Sequence, residues 1–268
     1  MTSFDDLLFV ARRDRSNIEI YHIPIFEPAA SVSVNGLGSR ITGLASCAAS
    51  RCIFVADWDK RTVHRRDFRV DNSSGTISNS GKWRVDGRPQ GLSVARLTGN
   101  LIVTCSEGKL LEYTGVGSLV REIVLQSDVA HPWHAIQLNQ YGQLAVSHGR
   151  YVDGPARSRV SCVNTDGQTL TSRVNKPGPA LLACLSYDET GRRVVLVANR
   201  DQNKISLWNP WLRKSGSLSV PVVGGLQGPH AIHLDESRDR LYVGEWNSGR
   251  VLVIDNVKLA CAAALNMV

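Results

Sequence analysis

Apolar and polar residues alternate in short runs along most of the chain, and clusters of turn residues separate the runs. Residues 230–255, HAIHLDESRDRLYVGEWNSGRVLVID, hold three such runs and two tight turns, with an acidic residue followed by Trp closing the middle run. The middle run ends in VGEWN at Val243, and related segments recur as VARRD at Val10, VADWD at Val55, VTCSE at Val103, VSHGR at Val146 and VANRD at Val197. The six copies are spaced by 45, 48, 43, 51 and 46 residues. Each follows an apolar run that often opens after Pro or Gly (ITGLASC, PQGLSVARL, PWHAIQL, PALLACL, PHAIHL) and a turn rich in Gly, Asp, Asn or Ser. After each comes an alternating run (NIEIYHI, TVHRRDF, KLLEYTG, RVSCVN, KISLWN, RVLVID), and five copies then carry a more polar run: ASVSVNG, KWRVDG, VREIVL, TLTSRVN and SVPVVGG. A period of two with turn punctuation predicts strands, and no window predicts an amphipathic helix.

Four strands in a unit of about 40–50 residues is the signature of a propeller blade, because one small sheet cannot bury both faces alone while stacked copies can. The expectation is an all-β chain forming one six-bladed β-propeller, mostly of four-stranded blades. The blades fall at about 6–36, 37–87, 88–127, 128–178, 179–225 and 226–257, with a tail at 258–268. Blade one lacks an obvious first strand before Val10, and blade six lacks a clear fourth strand after Asp255. Only 25 residues follow Val243 and 9 precede Val10, well short of one repeat. The tail KLACAAALNMV is the candidate to close the ring, although alanine is a poor strand former.

The repeat resembles the NHL repeat, most closely in CIFVADWDKRTVHRRD and RLYVGEWNSGRVLVID, and the likeness covers residues 6–257. The stretches HPWHAIQLNQYGQLAVSHG and GLQGPHAIHLDESRDRLYVGEW are similar to those of a group of invertebrate NHL-repeat proteins. The resemblance implies an interaction platform. Some family members carry it beside a RING and a B-box, and others bind single-stranded RNA on a basic face. This sequence holds no RING, B-box or coiled coil, so ligase activity does not carry over.

Composition changes this picture little. Hydrophobic residues make up 43% and charged residues 21%, ordinary values for a chain that buries a core. No apolar run approaches the roughly 20 residues of a membrane span. The start, MTSFDDLLFVARRDR, carries acids where a signal peptide carries bases. The expectation is a cytoplasmic monomer. The six cysteines form no CxxC, and Cys47 and Cys52 flank AASR at a spacing that could face them across a hairpin. A net charge of +7 admits an acidic partner.

That charge falls on the turns between second and third strands. They hold Arg12, Arg13 and Arg15 in blade one and Lys60 and Arg61 in blade two. Blade four has Arg150, with Arg157 and Arg159 beyond it, blade five has Arg200 and Lys204, and blade six has Arg250; Trp58 and Trp246 lie beside them. In a propeller these turns share one end of the blades, so Arg12, Arg13, Trp58, Lys60, Arg61, Arg150, Arg200, Lys204, Trp246 and Arg250 form a candidate face for a protein partner. Basic side chains with aromatic rings equally suit single-stranded RNA, or Arg can lie on Trp as an internal cation–π contact. Repeat alignment sets His134 beside His230 at the start of the first strand, with Thr42, Gln90 and Ala183 equivalent and Trp133 adjacent, as candidate channel-lining positions. This pairing is similar to NHL-type peptidyl-amidating lyases, where three histidines from separate blades hold zinc, but zinc needs three or four ligands and the matching positions offer no third. A lactonase-type calcium site would need several converging oxygens, whereas Asp57, Glu245 and Asn199 share their repeat position with Arg12, Cys105 and His148. Those acids read as turn caps. No GxSxG, phosphate loop or HExxH is present. A non-enzymatic binding scaffold without cofactor is therefore expected, with a metal-dependent lyase or lactonase as the less favoured alternative.

Overall fold

The computed structural model describes residues 1–12, 17–23, 25–33, 37–71, 74–149, 158–174, 182–186, 193–220 and 224–265. Six successive antiparallel sheets make the chain a six-bladed β-propeller. Blade one is β1 (Thr2–Phe4), β2 (Leu7–Ala11), β3 (Asn17–His22) and β4 (Pro28–Ser33). Blade two is β5 (Ile41–Cys47), β6 (Cys52–Asp57), β7 (Thr62–Asp71) and β8 (Ser74–Arg84). Blade three is β9 (Pro89–Val94), β10 (Leu101–Cys105), β11 (Lys109–Tyr113) and β12 (Leu119–Val124). Blade four is β13 (Pro132–Gln137), β14 (Leu144–His148), β15 (Arg159–Val163) and β16 (Thr169–Val174). Blade five is β17 (Leu182–Ser186), β18 (Arg193–Asn199), β19 (Lys204–Trp208) and β20 (Lys214–Leu218). Blade six is β21 (Pro229–Asp235), β22 (Arg240–Glu245) and β23 (Val251–Asp255), followed by α1 (Val257–Leu265). The chain divides into two compact units, Met1–Ile123 and Val124–Val268. No described helix is long and apolar enough to cross a membrane.

The repeated valines all lie on second strands, which run through the middle of each sheet. Val55, Val103, Val146, Val197 and Val243 are fully buried. In blades two and five the second strand is apolar at nearly every position because both of its faces meet a neighbouring blade of the same unit. In β6, Ile53 and Val55 join Phe4, Phe9 and Ile18 of blade one, while Cys52, Phe54 and Ala56 join Leu92, Val103 and Leu111 of blade three. In β18, Val195 and Val197 face Ala145 and Val160 of blade four, while Val194, Leu196 and Ala198 face Ile232, Leu241 and Val243 of blade six. A continuous apolar strand exposed on either face would be a liability, so these blades depend on their neighbours within the unit.

Three expectations are corrected. Blade one does have a first strand, the three-residue β1, which pairs Thr2 with Phe9 and Phe4 with Leu7. The fourth strand of blade five is KSGSL, not the following SVPVVGG. The tail is not a strand: residues 257–265 form α1, which buries Val257 and Cys261 one turn apart and leaves Leu259 72% exposed. Its alanines favour helix over sheet. Val257 and Cys261 join the core between blades five and six, and α1 packs on β20.

Candidate functional site

The first two strands of each blade set the geometry at the end that carries the basic turns. In blades two, three, four and six the first strand opens with a register shift. Ile41, Pro89, Pro132 and Pro229 pair with Asp57, Cys105, His148 and Glu245, and one residue is then skipped before pairing resumes. The skipped residues are Thr42, Gln90, Trp133 and His230, each on a bulge that re-aims its side chain. Just outside, a backbone bond recurs: Trp58 N–H donates to the Arg40 carbonyl at 3.1 Å, Ser106 to Arg88 at 3.0 Å, and Trp246 to Gly228 at 2.9 Å. Arg40 and Arg88 thus occupy one repeat position, immediately before the first strand, and Trp58 and Trp246 occupy another, immediately after the second.

Acidic side chains lock this arrangement. Asp57 is fully buried and accepts the Gly38 amide at 2.6 Å and the Lys60 amide at 3.0 Å. Glu245 accepts the Gln227 amide at 2.7 Å, the Ser248 hydroxyl, and Arg250 at 3.0 Å. Burial alone would raise the Glu245 pKa, but the bonds from Ser248, Gln227 and Arg250 outweigh it and hold the carboxyl below its ordinary value. In blade three, where Cys105 takes the acid's place, Glu107 two residues on accepts the Arg88 amide at 2.8 Å. Each acid ties the incoming connection to its own blade.

In the first unit, two guanidiniums lie over Trp58, with Arg40 Cζ 4.1 Å and Arg88 Cζ 4.5 Å from the ring centroid. Lys60 and Arg61 are exposed on the same turn. Arg61 takes a left-handed φ of 52°, and its carbonyl accepts the Val85 amide at 2.8 Å. Asp59 accepts the Ser39 hydroxyl at 2.9 Å. Arg12 stands apart, paired with Glu19 at 3.0 Å and held above its ordinary pKa by that hydrogen bond and charge.

In the second unit, Trp246 is 48% exposed, stacks on the His230 ring at 5.2 Å, and has Arg200 Cζ 5.9 Å from its centroid. Arg200 also pairs with Asp201 at 3.0 Å. Asn203 accepts the Gly228 amide at 2.7 Å, which fixes the approach to β21. Gly228 has φ 65°, a conformation that favours glycine, and a Cβ there would come 3.0 Å from the Asn247 side chain. Arg250 pairs with Glu245 at 2.9 Å, so its charge is largely offset. Lys204 is half-buried at the start of β19 rather than on the turn.

The structure therefore brings together Trp58, Lys60 and Arg61 in one unit and Arg200, His230 and Trp246 in the other. Arg13, Arg15, Arg150 and Arg157 lie outside the described residues. The proposed equivalence of His134 and His230 is corrected by the register: Trp133 matches His230, and His134 comes one residue later, opposite Ser147. Both strands carry the bulge one residue after Pro, so the extra Trp of PWHAI takes the bulge position that His230 holds in PHAI. His134 is buried, and its Nδ1 accepts the Leu182 amide of blade five at 3.3 Å. Ala183 is corrected likewise, lying one residue past Leu182, the partner of Val197, where Leu92 and Ile232 hold that place in other blades. Thr42 donates to the Pro89 carbonyl at 2.7 Å, Trp133 donates to the Gly149 carbonyl at 2.7 Å, and Gln90 is half-buried. Among the described residues no three His, Cys, Asp or Glu side chains gather where they could hold a metal. Sequence reasoning missed Arg40 and Arg88; their signal is an arginine immediately before the first strand, in SRITG and GRPQG.

The chain matches no protein-family model, and no curated protein matches it. Solved structures do match. Hydrazine synthase of Kuenenia stuttgartiensis is 14% identical with a TM-score of 0.65, covering 98% of this chain and 78% of that one. The β-propeller domain of Myceliophteria thermophila Cps50 (Swd1) is 14% identical with a TM-score of 0.61, covering 94% and 80%. A chain of a nidogen/laminin complex is 17% identical with a TM-score of 0.62, covering 95% and 90%. At these identities the likeness speaks to the propeller fold alone, a fold that serves many functions.

Proposed function

We propose that this propeller is a non-catalytic interaction scaffold of the NHL type, which binds an acidic surface of a protein partner at the end of the first unit that carries Trp58. The observation behind this reading is the pair of guanidiniums, Arg40 and Arg88, held over the Trp58 ring with Lys60 and Arg61 on the same turn. Guanidiniums stacked on a ring lose less freedom when they meet a carboxylate, and Arg presents a planar fork that matches it. Such a charge cluster would chiefly raise the association rate and select partners by sign. The free, buried described cysteines fit a partner met in a reducing compartment such as the cytoplasm.

Single-stranded RNA is the second reading, favoured by the half-exposed Trp246 ring with Arg200 beside it. It ranks lower because bases need open ring faces, and Trp58 already carries guanidiniums while Trp246 stacks on His230.

Fluorescence anisotropy tests both readings, with a labelled acidic peptide, a randomised single-stranded RNA pool and double-stranded DNA. The expected result is salt-sensitive peptide binding, weakened at least about ten-fold, or about 1.4 kcal/mol, in Arg40→Glu/Arg88→Glu, with no tighter binding to RNA. Tighter RNA binding, lost in Trp246→Ala, establishes the second reading instead. Equal binding of every polyanion, or no effect of the double variant, removes this surface as a specific site.

A further inference from the structure

Cys47 ends β5 and Cys52 begins β6, and the two are direct cross-strand partners closing the hairpin. Both thiols are free and buried, at 8% and 0% exposure, in the core between blades two and three. Directly opposed residues of an antiparallel pair have Cα atoms about 4.5–5.5 Å apart and side chains on the same face. A disulfide needs a Cα separation of about 4.4–6.8 Å. The cross-strand pairing thus places the two backbones within the range of separation that a disulfide takes. A second feature points the same way. Arg65 on β7 is anchored by Asp67 at 2.8 Å and by the Gly115 carbonyl at 2.8 Å, and its charge acts on both thiols.

We propose that Cys47 and Cys52 are a redox-active dithiol that a hydroperoxide converts into an intramolecular disulfide, with access controlled by opening of the exposed 48–51 turn. One thiolate attacks a peroxide oxygen, the O–O bond breaks, and a sulfenic acid and one water result. The second thiolate attacks that sulfur, the S–S bond forms, and the second water leaves. Two thiols give up two electrons and two protons, and one hydrogen peroxide becomes two waters.

The closed hairpin resists this reaction. Burial, opposed by Arg65, pushes the Cys52 thiol up to about 11, so only about one molecule in 10⁴ holds a thiolate there at neutral pH. The turn that must open is held by a few bonds, one of them from β7, where the Phe68 amide donates to the Arg51 carbonyl at 2.9 Å. Arg51 has a left-handed φ of 45° and pairs with Asp5 at 2.8 Å, and its amide donates to the Ala48 carbonyl at 3.1 Å. Oxidation is therefore limited by opening, and the disulfide then keeps the turn shut.

Trypsin reads the bond directly, because it cuts after Arg51, between the two cysteines. The native full chain is treated with hydrogen peroxide, quenched with catalase, unfolded in N-ethylmaleimide and digested without reductant. The expected product is residues 41–51 linked to residues 52–60, separated by dithiothreitol and absent in Cys47→Ser. Its rate of formation levels off as peroxide is raised. Recovery of both peptides as maleimide adducts, over-oxidation without a link, or links to Cys105 instead would overturn the dithiol. A rate that rises linearly with peroxide throughout would overturn the control by turn opening.

Discussion

At the scale of single residues, the acid that ends the second strand carries structural weight out of proportion to its size. Asp57, itself fully buried, satisfies two part-buried backbone amides, at 2.6 Å and 3.0 Å. Removing it leaves both part-buried donors without this partner, and hydrogen bonds to a charged group are the costly ones to lose. Asp57→Ala is expected to lower unfolding free energy by about 3 kcal/mol, read as a shift of the urea midpoint with an unchanged slope. Asp59→Ala, two residues away and exposed, should change it by less than about 0.5 kcal/mol. Equal effects at the two positions would show that Asp57 is not a cap. The same position holds Arg12 in blade one, which pairs with Glu19 at the surface instead. A repeat position therefore fixes where a side chain points, and the residue type decides whether it ties the connection down.

At the scale of elements, strands were legible and their registers were not. Alternation and turn residues in CIFVAD and RLYVGE place β6 and β22, because a strand with both faces buried has to be apolar throughout. A bulge leaves no such trace. PWHAI and PHAI differ by one residue, and the bulge that follows Pro in both falls on Trp133 in one and on His230 in the other, so His134 lies one place further along and meets Leu182. Arg40 and Arg88 were missed for a related reason: they precede the repeat motif, and only the backbone bonds from Trp58 and Ser106 show that they share a place. The helix α1 was hidden by its length, since VKLACAAAL spans too few turns to display a periodic face. Its docking can be tested. A Cβ at Gly216 on β20 would come 3.0 Å from the Ala264 carbonyl oxygen. Gly216→Val should therefore push α1 away and cost about 1–3 kcal/mol, while Leu259→Lys on the exposed side should cost under about 0.5 kcal/mol. Thermal unfolding of the two variants separates a docked helix from a loosely attached one.

At the scale of the whole molecule, consecutive blades within each unit share their cores, so a polar group buried in one blade burdens the stability of its neighbours in that unit as well. Each unit buries histidine in this way. His64 in the first lies beside Thr62 at 3.0 Å and Arg66 at 3.5 Å, and His148 in the second bonds Ser161 at 2.8 Å. Burial lowers the pKa of both, helped at His64 by the Arg66 charge, and takes His148 down to about 4 from 6.5. Above pH 6.5 folded and unfolded chains are alike in leaving these rings neutral. As pH falls below that value the unfolded chain binds protons that the fold refuses, so stability drops until the folded pKa is passed. At about pH 5 the loss from His148 alone amounts to about 2 kcal/mol. Carboxyls held low by partners, such as Asp235 and Glu245, add to the loss only at lower pH. His148→Gln can keep a bond to Ser161 without titrating, and its unfolding free energy should fall less steeply between pH 6.5 and 5 by close to one proton's worth of slope. An unchanged slope would mean that His148 is protonated in the fold, and the buried Ser161–His148 pair would then have to carry a charge that its surroundings do not balance.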